Sequence, residues 1–206
     1  MIFFAGVLGC IDGTHIPIGK PHSQDCEEYR CRKGFFSINV QAVCNPNLSF
    51  SNIVARWKGS THDSRIWLNS RLCSRFETNE FQGYLLGDNG YGNTNNLLTP
   101  ILSPRLPSER RYNKAHIKTR NTVERTFGVW KSRFQCLRNT LRFSPRKCWR
   151  IIVAAAIVHN FLIERRDLFT GTVIQEDEEN MVIPEIGNHR GSDTIRIQII
   201  SSAFDP

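Results

Sequence analysis

The chain of 206 residues is long enough for one domain with a sizeable core, and 40% apolar with 22% charged residues is an ordinary globular composition. No apolar stretch approaches the roughly 20 residues of a membrane span, and "MIFFAGVLGCI" runs straight into Asp12 without a basic leader or cleavage segment, so it reads as a strand rather than a signal peptide. The net charge of +8 is uneven: residues 105–150 hold 14 Lys and Arg against Glu109 and Glu124, whereas residues 171–206 hold 2 against 7 acids. A basic block of that density predicts phosphate contact, with a solvated helix face as the plainer alternative.

In chain order, Val7–Ile11 is a first strand with Asp12 at its carboxyl end. "FFSINVQAV" (35–43) and "LSFSNIVARW" (48–57) alternate apolar and polar residues around "CNPN", which predicts a hairpin. "GSTHDSRIWLNS" (59–70) predicts a helix capped by Ser60, with Asp63 at its third position and Ile66 and Trp67 starting the buried face. "YLL" (84–86) is a short strand apolar on both sides, and "NLLTPIL" (96–102) a further short element ended by Pro104 and Pro107. An amphipathic helix is expected from about Thr119 to Phe134, with Val123, Phe127, Trp130 and Phe134 as its core stripe. "RKCWRIIVAAAIVHNFLIERR" is a second long, buried helix, in which Trp149 also reads as core.

Residues 1–170 therefore read as one domain. Residues 171–206 read as an acidic, largely disordered tail whose last stretch, "TIRIQIISSAF", docks as a helix or a strand. Strand, hairpin, helix, strand, strand, helix, helix is an α/β order built on a mixed sheet flanked by helices. The seven cysteines are scattered without a Cys-x-x-Cys pair, which predicts reduced thiols; Cys26, Cys31 and His22 lack the second ligand pair of a zinc site.

Two acids follow apolar runs in the same way: Asp12 in "GVLGCIDGTHI" and Asp88 in "GYLLGDNGYG". In α/β sheets ligands gather beyond the carboxyl ends of the central strands, which makes this pair a site rather than two turns. Glu124, next to Val123 at the edge of the apolar stripe, either pairs with its basic neighbours at the surface or turns towards those strand ends. Three converging carboxylates repel one another strongly. Mg²⁺ or Mn²⁺ relieves that repulsion, and two such ions about 3.5–4 Å apart can activate a water and stabilise the leaving oxygen of a phosphodiester.

"GCIDGTHIPI", "GSTHDSRIW", "YLLGDNGYG" and "RYNKAHIKTRNTVERTFGVWKSRFQCLR", in that order over residues 6–164, resemble the motif blocks of the PIF/Harbinger transposase superfamily, and most of all the Harbinger transposase-derived nucleases. The resemblance implies a ribonuclease H-like fold, an Asp-Asp-Glu triad at Asp12, Asp88 and Glu124, and two divalent cations, Mg²⁺ or Mn²⁺. It also implies DNA as substrate, nuclear and in part cytoplasmic localisation, and a Myb-like protein as partner. Where the family's second block continues Asp-Ser-Gly-Tyr-Pro, this chain has Asp88-Asn89-Gly90-Tyr91-Gly92; Asn-Gly turns readily, so the position of the acid is expected to survive. Members carry a helix-turn-helix-like region ahead of the first acid, and eleven residues precede Asp12 here, which fits a piece of a longer protein.

Among the remaining residues, Asp63 is read as a helix-capping residue, with a place beside the site as the alternative. His15 and His62 are read as structural hydrogen-bonding groups, and Tyr91 as a packed aromatic. Arg111, Asn113, His116, Lys118 and Arg120, leading into the Glu124 helix, are the candidates for phosphate contact. Two functions stand side by side: a metal-dependent DNA nuclease, and a catalytically silent relic that binds DNA or protein.

Overall fold

The computed structural model of the chain describes residues 6–167, 169–173 and 193–204. In order they form β1 (Val7–Pro17), β2 (Ser37–Cys44), β3 (Phe50–Lys58), α1 (Asp63–Leu68), α2 (Arg71–Glu77), β4 (Tyr84–Leu86), β5 (Leu97–Leu98), α3 (Pro107–Arg133), α4 (Pro145–Glu164) and α5 (Thr194–Ile199). No helix among the described residues is long and apolar enough to cross a membrane.

The strands make one sheet of order β3-β2-β1-β4-β5, antiparallel through β1, β2 and β3 and parallel through β1, β4 and β5. This is the ribonuclease H-like mixed sheet expected from the sequence. β2 is buried along its whole length because helices cover both faces. On one face Cys10, Val40, Ala42 and Leu86 meet Val123, Phe127 and Trp130 of α3 and Ile152 of α4; on the other Ile11, Val43, Leu85 and Leu97 meet Trp67, Phe76 and Tyr91. Phe50 packs edge-on against Trp130 with ring centroids 5.1 Å apart.

The hairpin of β2 and β3 falls where the alternation placed it. Its far end is clamped by α4: Asn160 Oδ1 accepts from the Phe50 amide at 2.8 Å, Asn160 Nδ2 donates to the Phe50 carbonyl at 2.7 Å, and His159 Nε2 donates to the Leu48 carbonyl at 2.8 Å.

Four expectations shift. β1 runs on past Asp12 to Pro17, because β2 keeps pairing with it through Pro17 while β4 stops at Cys10; Asp12 is mid-strand, not at a strand end. The Ser60 cap gives way to His62, and α1 breaks at Asn69 before a second short helix, α2, whose cap is Ser70 accepting from the Cys73 amide at 3.0 Å. α3 starts at Pro107, a dozen residues before the periodic stripe, with Glu109 reaching back to the amides of Arg105 and Leu106 at 2.6 and 3.0 Å. Trp149 is exposed rather than core, with the Arg150 guanidinium 5.6 Å from its ring centre.

The terminal stretch is helical: α5 and a π turn at Ile200–Phe204 lie beside α3, with Phe204 buried edge-on against Tyr112. Residues 174–192, most of the tail expected to be disordered, lie outside the described residues. All seven cysteines are unpaired thiols.

Candidate active site

Asp12, on β1, and Asp88, just past the end of the neighbouring parallel strand β4, stand level. Cys10 is paired with Leu86, the last rung of that ladder, and each acid follows its rung by two residues. Side chains two apart on a strand share a face, so Asp12 points to the same side as Cys10, towards α3; Asp88 lies past the end of β4, within range of the Arg120 charge on α3. The Asn89-Gly90 turn fixes Asp88: its Oδ1 accepts from the Gly90 amide at 2.9 Å. Asp12 Oδ1 accepts from the Gly13 amide at 2.8 Å.

Glu124 comes from α3. Arg120, one helical turn earlier, donates from Nη1 to Asp12 Oδ2 at 2.9 Å and from Nη2 to Glu124 Oε1 at 2.5 Å. The first and third acids therefore lie within the span of one guanidinium. Further along α3 the buried Lys131 donates to Thr14 Oγ1 at 2.7 Å and to the His15 carbonyl at 3.1 Å, tying the helix to β1 just past the acid.

Burial holds the Asp12 carboxyl well above the ordinary aspartate range, and the charge of Asp88 adds to this; Arg120 pulls the other way and does not prevail. The Asp88 carboxyl is raised as well, by burial against the pull of Arg120. Even with Arg120 beside it, such a site is short of positive charge. Its donors are all carboxylate oxygens, the ligand type that hard divalent cations prefer, so the residues fit Mg²⁺ or Mn²⁺ chemically. Among the described residues no three His, Cys, Asp or Glu side chains are gathered to hold one metal ion. The guanidinium of Arg120 instead stands between two of the acids.

Asp63 lies beside this site. It is the first residue of α1, and its Oδ1 accepts from Asn39 Nδ2 at 2.8 Å. Gln41 Nε2 donates to the Asp63 carbonyl at 2.9 Å and to the Tyr91 hydroxyl oxygen at 3.0 Å. Burial, together with the charges of Asp63, Asp12 and Asp88, raises the Tyr91 phenol well above its ordinary value. Tyr91 is a packed aromatic, as expected, that also has its oxygen among the acids. His15 takes the structural role read for it, with Nδ1 3.0 Å from Ser37 Oγ.

The candidates for phosphate contact divide. Arg111 donates to the Phe204 carbonyl, at 2.9 Å from Nε and 2.5 Å from Nη2, holding the terminal segment. Asn113 exchanges two 2.8 Å hydrogen bonds with the backbone of Ile101. His116 is fully buried, its Nε2 donates to the Leu98 carbonyl at 3.1 Å, and burial lowers its pKa to about 4. Arg120 is engaged with Asp12 and Glu124. All four stand on α3: Asn113, His116 and Arg120 turn towards the protein, and Arg111, though exposed, is engaged with the terminal segment. Lys118 remains exposed, and Arg110 and Lys114 precede it on α3 at intervals of one turn. Sequence spacing could have found that stripe.

A five-stranded ribonuclease H-like sheet with acids level on β1 and beyond β4, and a third acid on the covering helix, is the frame of a DDE endonuclease domain. The chain belongs to that family: the signature described as DDE superfamily endonuclease matches residues 11–160. It is similar to the protein named "Putative nuclease HARBI1" of Bos taurus and of Homo sapiens, at 36% identity over 183 residues, 84% of this chain and 52% of each relative. "Protein ALP1-like" of Arabidopsis thaliana is 26% identical over 176 residues, 77% of this chain and 43% of that protein. The expected kinship with Harbinger transposase-derived proteins holds. The chain spans about half the length of the curated relatives it matches. No solved structure matches it.

Proposed function

We propose that this domain is a divalent-metal-dependent nuclease that hydrolyses DNA phosphodiester bonds, with Asp12, Asp88 and Glu124 as its acids. The observation that carries the reading is the level placement of Asp12 and Asp88 past the last β1–β4 rung, with Glu124 joined to Asp12 through Arg120. The family, and the name printed for the mammalian relatives, point the same way. Two bound Mg²⁺ or Mn²⁺ ions would supply the charge that makes water a nucleophile and stabilises the departing oxygen. Asp12, Asp88 and Glu124 would hold them. Arg120, once released from the acids, would be free to pair with the scissile phosphate, and the exposed Arg110, Lys114 and Lys118 would track the backbone. Nuclear localisation and a Myb-like partner belong to the same proposal; the basic block supports a nucleic-acid substrate.

The test is cleavage of DNA by the purified chain with Mg²⁺ or Mn²⁺, beside Asp88→Asn and Glu124→Gln. The expected result is cutting by the wild type alone. Equal cutting by all three, or none by a folded wild type, overturns the proposal.

One observation favours a second reading, a silent binding module. Arg120 already supplies Asp12 and Glu124 with a cation of the chain's own. A melting temperature unmoved by saturating Mn²⁺ supports that reading, since a ligand that binds only the folded state must raise it.

A further inference from the structure

Two amide residues, Asn39 and Gln41, sit in the middle of β2, a strand buried along its whole length and, apart from Ser37 at its start, otherwise apolar. Burying an amide without partners costs about 1–3 kcal/mol, so their partners say what they are for. Both converge on Asp63: Asn39 donates to its carboxylate, Gln41 to its carbonyl. In the register of the sheet they lie opposite His15 and Gly13 of β1.

Gly13 is the second half of the arrangement. It follows Asp12 directly and has ordinary extended backbone, so no conformational need requires glycine there. The need is space. A Cβ on Gly13 would overlap the Asp63 carboxylate, which lies against the strand at that point. Asp12 faces α3 and Gly13 faces α1, and with no side chain at 13 the charge of Asp63 reaches the site past the backbone. β4 has already ended there, so no neighbouring parallel strand intervenes. Asn39 Oδ1 adds an acceptor that is buried without a hydrogen-bond partner among the described residues. The rise in the Asp12 carboxyl includes a contribution from Asp63, in agreement with this geometry.

We infer that Asp63 is a fourth carboxylate of the acid site, held by Asn39 and Gln41 and admitted by Gly13, and that it strengthens cation binding from outside the triad. The inference rests on the metal-dependent reading proposed above. Asp63 is a positioning and charge-supplying residue; the triad remains the direct ligand set. Residues in this outer role typically change metal affinity by about 10–100-fold.

The experiment is a Mn²⁺ titration of the whole chain, following the free-ion electron paramagnetic resonance signal, for wild type, Asp12→Asn, Asp63→Asn and Gly13→Ala. Asparagine keeps an oxygen for Asn39 and removes only the charge. The expected result is a Mn²⁺ affinity about tenfold weaker for Asp63→Asn, with an unchanged or raised metal-free melting temperature, a loss in the same direction for Gly13→Ala, and a larger loss for Asp12→Asn. If Asp63→Asn fails to fold, Asp63→Ser, which keeps a hydroxyl near Asn39, reads the same loss. Wild-type affinity in the folded Asp63 variant, beside a weakened Asp12→Asn, overturns this inference and leaves the nuclease reading standing. No Mn²⁺ binding by wild type, or no loss in Asp12→Asn, overturns both.

Discussion

Arg120 donates to Asp12 across 108 positions of the chain, at 2.9 Å, between two side chains that are each more than four-fifths buried. This pair is the structural hinge between α3 and β1 at the site. Removing one partner of a buried ion pair typically costs about 3–5 kcal/mol, and protonation of the stranded Asp12 offsets part of that. Arg120→Gln is therefore expected to lose about 2 kcal/mol of metal-free stability, read by urea denaturation in EDTA. Mn²⁺ should raise the melting temperature of the variant more than that of the wild type, because the ion takes over the charge the guanidinium supplied.

Asp88 gives the opposite sign. Its carboxyl is raised chiefly by burial, and its charge in turn raises Asp12. Asp88→Asn should therefore be at least as stable as wild type without metal, and should lose most of the Mn²⁺-induced rise in melting temperature. A destabilised, fully Mn²⁺-responsive variant would contradict the placement of Asp88 in the acid site.

Acid stability should carry the mark of His116. Burial depresses its folded-state pKa to about 4 from an ordinary 6.5, and His159 is lowered by the same cause. A depressed histidine binds its proton more readily in the unfolded chain. The stability contributed by neutral His116 is thus present above pH 6.5 and declines as the pH falls towards 4, by at most about 3 kcal/mol. Asp12 and Asp88, raised rather than lowered, work against this trend by favouring the folded state as they protonate. The comparison of wild type with His116→Gln isolates the histidine: the difference in stability between the two should shift in favour of the variant on going from pH 7 to pH 4.5.

The clamp on the hairpin is a local test of the fold. Asn160→Ala removes both hydrogen bonds to Phe50 and strands a partly buried amide and carbonyl. The expected cost is about 2–3 kcal/mol, seen as a lower urea midpoint. The response to Mn²⁺ should be intact, since the clamp bonds to β3, which β2 separates from the Asp12 strand.

The sheet and the level placement of Asp12 and Asp88 were legible in the sequence because short apolar runs ending in Asp, and a period-two hairpin, are local signals. The first half of α3 was not. Its buried positions, Ser108, Tyr112 and His116, recur at helical spacing but carry polar groups that bond to Thr99 and Leu98, so no apolar stripe announced them. Without that stripe the inward turn of Asn113, His116 and Arg120 could not be read from the sequence. The Asp63–Gly13 contact was hidden for a different reason: it is a fit between a helix start and a strand fifty residues earlier, and only the packed structure brings a missing Cβ to a carboxylate.

β4 has three residues and β5 two, against eleven in β1. Because β4 ends at Leu86, the chain is free to turn at Asn89-Gly90, and that turn, rather than a ladder, holds the Asp88 carboxylate through the Gly90 amide. A longer β4 would trade this turn for further rungs and would displace the second acid from its place beside the first.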